Sequence, residues 1–289
     1  MTFVSTFRVR HYECDAYNHL NNVNYVRYLG EATLDALAQT RCDSARLDAL
    51  GLRWQTRTLE VEYLRPVRYG DTVEVQTSVT SCTESHLRWA YELRLTGAEE
   101  PAARAAVEAD LSAEAGGEAV ALPADLAASL CGDAVPGLFP LTVGFPSAPA
   151  PPPGVFIMRR RVSWLDLAAG RRVNDATYLA MIEECGMGVI EAHGWPAARM
   201  AAEGFAIILR RHQVEFLRPA HPDDELELAT WASDMQRATA MRHYVIRRPK
   251  DGMLLVRAHT LGVWVNLATG RPMRIPAHFI ADFAPNIAG

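Results

Sequence analysis

Residues 61–66 read VEYLRP and residues 214–219 read VEFLRP, which sets two nearly identical hexapeptides 153 positions apart. The same offset, without any gap, relates further pairs at both ends of the repeat: Asn21 and Asn174, Tyr25 and Tyr178, Glu31 and Glu184, and Pro123 and Pro276. A repeat of this length is too long for a solenoid unit of 20 to 50 residues. The chain is therefore predicted to hold two domains of the same kind.

The repeat also predicts where the domains begin and end. The N-terminal domain is expected over residues 1–123 and the C-terminal domain over residues 155–289. Residues 124–154 have no full counterpart after the second copy and contain seven prolines. Because proline-rich segments are stiff and extended, this stretch is predicted to be a linker.

The composition excludes several classes of protein. The 289 residues are 49% hydrophobic and 22% charged, as in ordinary globular proteins, and the net charge of −5 argues against a duplex-DNA binder. No apolar run reaches the roughly 20 residues of a membrane-spanning helix. The five cysteines are scattered and include no CxxC pair, so they are predicted to be reduced thiols in a cytoplasmic protein, and no metal site is expected.

Each copy shows the pattern of one helix followed by antiparallel strands. In the first copy a strand near Phe7 leads into a polar loop and then a helix over about 22–40, with Asn22 as the expected N-cap and Asp175 as its equivalent. Alternating apolar residues then indicate four or five strands, for example at Leu59, Val61 and Tyr63. The predicted fold class is α+β, with the helix packed on the sheet, twice.

The loop over residues 11–22 carries the most polar chemistry of the chain. It leads directly into the predicted helix, whose first backbone amides lack intrahelical partners and create a partial positive charge. Such amides can polarise a carbonyl oxygen, and a nearby carboxylate can attack that carbonyl or activate a water. Asp15 supplies the carboxylate, and the backbone amide of Asn22 supplies the donor.

The residues of this loop follow the pattern Tyr12-x-x-Asp15-x-x-Asn18-His19-x-Asn21-Asn22-x-x-Tyr25. This pattern resembles the hot-dog-fold thioesterases, particularly the 4-hydroxybenzoyl-CoA thioesterase-like and acyl-ACP thioesterase families. The resemblance covers roughly residues 5–123 and 156–280. It implies two tandem hot-dog domains, each a long central helix wrapped by an antiparallel β-sheet, that form an intramolecular pseudo-dimer.

The resemblance also implies an activity, the hydrolysis of acyl-CoA or acyl-ACP to a free acid and a thiol. Catalysis is assigned by it to Asp15, Asn22 and His19, and substrate binding to three further residues: Asn18, Asn21 and Tyr25. No cofactor is implied beyond the coenzyme A or acyl carrier protein of the substrate itself. Acyl carrier protein and a second copy of the chain are the possible protein partners, and neither nucleic acid nor a membrane is expected.

The second copy departs from the pattern at its reactive positions. Asp15 corresponds to Ala168, and the next two polar residues are replaced by Arg171 and Arg172. Alanine cannot act as a base or a nucleophile, so one competent site in the first copy and one degenerate site are predicted. Two alternatives remain open at this point: a hydratase or dehydratase acting through Asp15 and His19, and a module that binds acyl-CoA without turnover.

Overall fold

The computed structural model describes residues 1–113, 118–131, 145–168 and 171–289. The chain divides into two compact units, Met1–Val143 and Gly144–Gly289, called unit 1 and unit 2 below. Each unit contains a sheet and a long helix.

Unit 1 builds a five-stranded antiparallel sheet in the order β1-β3-β4-β5-β2. A 3-10 turn at His11–Glu13 precedes the first helix. The elements are β1 (Thr2–Arg8), α1 (Asn22–Ala38), α2 (Ser44–Ala49), β2 (Leu52–Tyr63), β3 (Thr72–Cys82), β4 (His86–Leu95), β5 (Ala103–Ala113) and α3 (Ala124–Cys131).

Unit 2 repeats the arrangement, with the antiparallel order β6-β8-β9-β10-β7. Its elements are β6 (Phe156–Arg161), α4 (Asp175–Ala192), α5 (Ala197–Ala202), β7 (Phe205–Phe216), β8 (Glu225–Ser233), β9 (Thr239–Arg248), β10 (Met253–Asn266) and α6 (Ala277–Phe283), with 3-10 turns at Trp164–Asp166 and Ala284–Asn286. The equivalent strand lies at the equivalent place in both sheets. The predicted α+β class and the tandem repeat are thus confirmed.

The long helix of each unit packs on its own sheet. The 17 residues of α1 extend about 25 Å and contact β1 and β3, while α4 contacts β6 and β8. Sheet residues alternate between the two faces, as in β3, where Val73, Val75 and Val79 are fully buried. The wrapping of the sheet around the helix and the pseudo-dimer stay predictions.

The helix caps lie one residue earlier than predicted. The side-chain oxygen of Asn21 accepts a hydrogen bond from Val23 N at 2.9 Å, and Asn174 does the same for Ala176 N at 2.8 Å. Asn22 and Asp175 are instead the first helical residues. Two consecutive cap-forming residues make the position ambiguous in sequence, and the extended backbone of Asn21 decides it.

The segment predicted as a linker is not extended throughout. Its first eight residues form α3, in which Leu126 and Leu130 are buried, and the thiol of Cys42 donates to Leu126 O at 3.5 Å. This part of residues 124–154 therefore packs within unit 1, because its apolar residues recur at helical spacing. Residues 132–144 lie outside the described part of the chain, and the exact domain limits stay a prediction.

The cysteines differ in part from expectation. Cys14, Cys42 and Cys185 carry free thiols, whereas Cys82 is disulfide-bonded. The prediction of five reduced thiols is therefore wrong for Cys82. Among the described residues, no group of three or more metal-binding side chains comes together, and no helix has both the length and the hydropathy needed to cross a membrane.

The interior of unit 2 contains three buried histidines on adjacent strands. Burial lowers the pKa of His212 on β7 to about 3. Burial, with the neighbouring His243 and Arg257, lowers the pKa of His259 on β10 to about 4. His243 on β9 is within 2.7 Å of Ser233 Oγ, and its ring meets that of His259 edge to face at 4.6 Å. All three side chains are therefore neutral at pH 7.

Candidate active site

The polar loop before α1 forms a closed turn. Cys14 and Leu20 pair as an antiparallel bridge, and inside it Asp15 N donates to His19 O at 2.8 Å. Asn18 N donates back to Asp15 O at 3.0 Å, and Asn18 adopts a left-handed backbone with φ of 60°. Asparagine tolerates this conformation better than most residues, which explains its position in the turn.

The Asp15 carboxylate is held by its own loop. Its Oδ1 accepts hydrogen bonds from Tyr17 N at 2.8 Å and from His19 N at 3.0 Å. Within the described part of the chain, no residue donates a hydrogen bond to Oδ2. The side chain is half-buried, so one oxygen fixes its orientation while the other remains available to a bound molecule.

Asn22 lies at the N-terminal end of α1, as predicted, although it is not the cap. Helix geometry leaves the N–H of this first residue without an intrahelical acceptor. The aligned peptide dipoles of the helix add a partial positive charge at the same point. This N–H can therefore stabilise a developing negative charge on a carbonyl oxygen.

His19 lies at the end of the loop, where its backbone bridges to Arg68. Burial lowers the pKa of His19, and the charge of Arg68 lowers it further, against an opposing effect of Asp15. The imidazole is therefore neutral at pH 7. In this state it can orient a water molecule or a substrate through hydrogen bonds, but it does not supply a positive charge.

The three predicted substrate-binding residues have clear places in the local structure. Asn18 is exposed at the turn, and Asn21 caps α1. Tyr25 is buried, its ring meets Tyr63 edge to face at 5.1 Å, and its hydroxyl is hydrogen-bonded to the backbone of Val67. Burial raises the pKa of Tyr25, so its hydroxyl stays protonated. Contact of these residues with substrate stays a prediction.

Glu13 is a site residue that sequence reasoning missed. Only 7% of it is exposed, and its Oε2 accepts hydrogen bonds from Arg10 N and from Tyr28 Oη, both at 2.7 Å. Its backbone oxygen accepts from Asn21 N at 2.9 Å and from Asn24 Nδ2 at 2.8 Å. Glu13 therefore fastens the loop to α1. The available signal was a carboxylate at the equivalent position of both copies, Glu13 and Asp166.

The described residues of the equivalent loop in unit 2 keep the main backbone hydrogen bonds of the turn without its reactive side chain. Leu167 pairs with Val173, Ala168 N donates to Arg172 O at 2.8 Å, and Arg171 N donates to Ala168 O at 3.1 Å. Arg171 has a left-handed φ of 56°, where unit 1 has Asn18. The loop is retained, but the carboxylate of Asp15 is replaced by a methyl group.

Asp166, the equivalent of Glu13, has the same bracing role in unit 2. It accepts hydrogen bonds from Ser163 N at 2.7 Å and from the Arg160 guanidinium at 2.6 Å. Although burial raises the pKa of Asp166, these hydrogen bonds and the Arg160 charge outweigh that effect and hold the pKa below its usual range. Its carboxylate is thus ionised, and its Oδ2 is engaged by Arg160 and Ser163 within unit 2.

Replacing Glu13 with alanine is expected to lower the free energy of unfolding by about 3 kcal/mol, because the buried Tyr28 hydroxyl and Arg10 N–H lose their acceptor. The matched variant Asp166→Ala is expected to destabilise unit 2 by a similar amount. Denaturant titration measures both effects. Hydrolytic activity below the unfolding transition should fall only for Glu13→Ala, and equal loss in both variants would contradict the assignment of the site to unit 1.

Comparison with known proteins identifies the family. The family model of the thioesterase-like superfamily matches residues 9–130 and 162–283, one match in each unit. The chain therefore belongs to the thioesterase-like superfamily, which confirms the resemblance seen in the sequence. The acyl-CoA thioester hydrolase YbgC of Escherichia coli is 30% identical over 123 residues, which cover 43% of this chain and 91% of that protein.

Two solved structures share the fold over nearly the whole chain. The 12:0-ACP thioesterase of Umbellularia californica has a TM-score of 0.70 and 19% identity, covering 90% of this chain and 93% of its own. An acyl-ACP thioesterase of Bacteroides thetaiotaomicron has a TM-score of 0.67 and 13% identity, covering 90% of this chain and 97% of its own. These likenesses confirm the tandem hot-dog architecture.

Proposed function

We propose that this protein hydrolyses acyl thioesters of coenzyme A or of acyl carrier protein, releasing a free acid and a thiol, at the loop of unit 1. The observation that carries the proposal is the Asp15 carboxylate, with Oδ1 fixed by two backbone N–H groups and Oδ2 unoccupied by any described donor. Membership of the thioesterase-like superfamily supports the reaction class. The matched relatives act on CoA and ACP thioesters, by their names.

The chemistry follows from the two ends of the loop. Asp15 Oδ2 takes a proton from a water molecule, and the resulting hydroxide adds to the thioester carbonyl carbon. The Asn22 N–H donates to the oxyanion of the tetrahedral intermediate. When the intermediate collapses, the C–S bond breaks and the thiolate leaves, taking up the proton. His19, neutral at pH 7, holds the water or the substrate in place.

A direct attack by Asp15 is the other route open to the same carboxylate. It forms an acyl anhydride with the enzyme, which water then hydrolyses. A single turnover in water labelled with oxygen-18, followed by mass spectrometry, and its converse in ordinary water with Asp15 carrying the label, separate the two routes. Label gained by the Asp15 side chain, or passed from a labelled Asp15 to the product acid through the bridging oxygen, establishes the anhydride, as does an acylated Asp15 peptide trapped by rapid quenching. General-base catalysis is established when the product acid takes its new oxygen from water, Asp15 neither gains nor loses label, and no acylated Asp15 is trapped.

The proposed reaction is tested with the purified full chain and a panel of acyl-CoA and acyl-ACP substrates. Thiol release, measured with a chromogenic disulfide reagent, is expected for at least one acyl group. Crotonyl-CoA hydration, followed by absorbance, is the control for the hydratase alternative. Tight acyl-CoA binding without thiol release would contradict the proposal and favour a non-catalytic module.

We also propose the partners, the location and the cofactor requirement of this protein. Acyl carrier protein and a second copy of the chain are the proposed protein partners, and the cytoplasm is the proposed location. The protein is proposed to need no cofactor, because the loop supplies both a base and an oxyanion donor. Dialysis against a chelator should therefore leave thiol release unchanged.

A further inference from the structure

We propose that Tyr12, Tyr69 and Arg68, together called the tyrosine rim, bind the 3′-phosphoadenosine end of coenzyme A. This inference rests on the proposed function of unit 1 and specifies how that site recognises its thiol carrier. The rim would distinguish an acyl-CoA from a thioester that lacks the nucleotide.

The distribution of tyrosines in the chain is the first observation. Six of the nine tyrosines are buried. The three exposed ones are Tyr12, Tyr17 and Tyr69, with 77%, 39% and 58% of their surface exposed. All three belong to the candidate loop or to the turn that packs against it. Exposed tyrosine is therefore concentrated at one place, beside Asp15.

The rim is built from two segments that are joined by several contacts. Leu20 N donates to Val67 O at 2.7 Å, and His19 bridges to Arg68. The ring of His11, next to Tyr12 in the 3-10 turn, meets the ring of Tyr69 edge to face at 5.7 Å. Tyr12 and Tyr69 thus lie on adjoining segments that are joined by a backbone hydrogen bond and by the His11–Tyr69 ring contact.

Arg68 adds a positive charge to this aromatic surface. Its side chain is exposed, and no ion pair engages it within the described part of the chain. Two neighbouring carboxylates are already engaged: Glu13 with Arg10, and Asp71 Oδ2 with Arg68 N at 2.7 Å. An arginine free to contact phosphate, next to aromatic faces that can stack on a base, suits a phosphorylated adenosine.

Unit 2 provides an internal comparison. At the positions of Tyr12, Arg68 and Tyr69 it has Leu165, His221 and Pro222. Its loop nevertheless keeps the two backbone hydrogen bonds inside the turn, from Ala168 N to Arg172 O and from Arg171 N to Ala168 O, so the rim residues are not required for this turn to form. The copy that lacks the Asp15 carboxylate also lacks the rim, as expected if the two serve the same reaction.

The test compares an acyl-CoA with the pantetheine thioester of the same acyl group, which lacks the nucleotide. Tyr12→Ala, Tyr69→Ala and Arg68→Ala are each expected to raise KM for the acyl-CoA about 10-fold without a matching fall in kcat. The KM for the pantetheine thioester should change less than twofold. Leu165→Ala, at the equivalent position of unit 2, is the control and should change neither KM.

Two results would overturn the inference. One is a wild-type KM that is the same for both substrates, and the other is an equal rise in both KM values in the rim variants. If no thioester is hydrolysed at all, the proposed function fails, and the rim is then tested alone. Adenosine 3′,5′-bisphosphate should bind the wild-type chain in calorimetry and bind Tyr69→Ala about 10-fold more weakly, and absence of binding would refute the rim.

Discussion

Replacing Asp15 with asparagine is expected to lower kcat for thioester hydrolysis by about 10² to 10⁴-fold, with little change in KM. The asparagine amide oxygen can still accept the hydrogen bonds that Tyr17 N and His19 N give to Oδ1. The loop is therefore retained, and only the ability to take up a proton or attack the carbonyl is lost. Steady-state thiol release from the preferred substrate measures the effect.

The matched control for this variant is Glu31→Gln, which removes one carboxylate charge from the exposed face of α1 in the same unit. It should keep kcat within about twofold, because surface substitutions far from special contacts have small effects. Near wild-type turnover in Asp15→Asn would show that the carboxylate takes no part in the reaction. An equal loss in both variants would point to net charge instead.

Unit 2 is expected to lose stability as the pH falls from about 6.5 toward 4. His212, His243 and His259 all have lowered pKa values, caused first by burial. Between the lowered folded value and the ordinary value near 6.5, the unfolded chain binds the protons and the folded chain does not. The free energy of unfolding should therefore fall by about 1.4 kcal/mol per pH unit for each such histidine.

Denaturant titrations between pH 7.5 and 4.5 measure this slope. Four of the six tryptophans lie in unit 2, so their fluorescence reports mainly on that unit. His212→Leu introduces the residue that unit 1 has at the same place, Leu59, and should reduce the slope by about one proton. The carboxylate of Asp224 accepts hydrogen bonds from Arg248 and Lys250, and its pKa is lowered. Its protonation therefore lowers the stability of unit 2 only below about pH 4, outside the range of these titrations. An unchanged slope in the variant would contradict the assignment.

Much of the fold could be predicted from the sequence because the duplication doubles every signal. The helix expected over about 22–40 is observed as Asn22–Ala38, and the alternating apolar residues expected in the strands are found in β2, β3 and β4. The spacing of apolar residues indicates which face of a helix or strand is buried, and the equivalent elements of both copies bury the same face.

The details that depend on single contacts could not be predicted. Asn21 and Asn22 are equally good caps by composition, and only the backbone angles place the cap at Asn21. The many prolines of residues 124–154 predicted an extended linker, although the eight residues that form α3 contain no proline. Glu13 in a polar loop has the pattern of a solvated charge, and its burial depends on Tyr28, fifteen residues further along the chain.

For the candidate site, the sequence predicts a chemistry, which stays a prediction, but not the geometry of the residues. The residue types of the loop indicated a base and an oxyanion donor, yet the hydrogen bonds that orient Asp15 come from backbone N–H groups, which have no sequence signature. The tyrosine rim could not be foreseen either, because exposure separates Tyr12 and Tyr69 from six chemically identical side chains in the interior.

The Ala168 loop of unit 2 keeps the bridge across its turn, Leu167 to Val173, and the two backbone hydrogen bonds inside it, although it has no carboxylate to present. The side chains that fold the twelve-residue loop are thus different from those proposed to react. One copy can therefore lose its reactive residues without unfolding. A few substitutions in the retained turn would be enough to create a second active site or a new specificity.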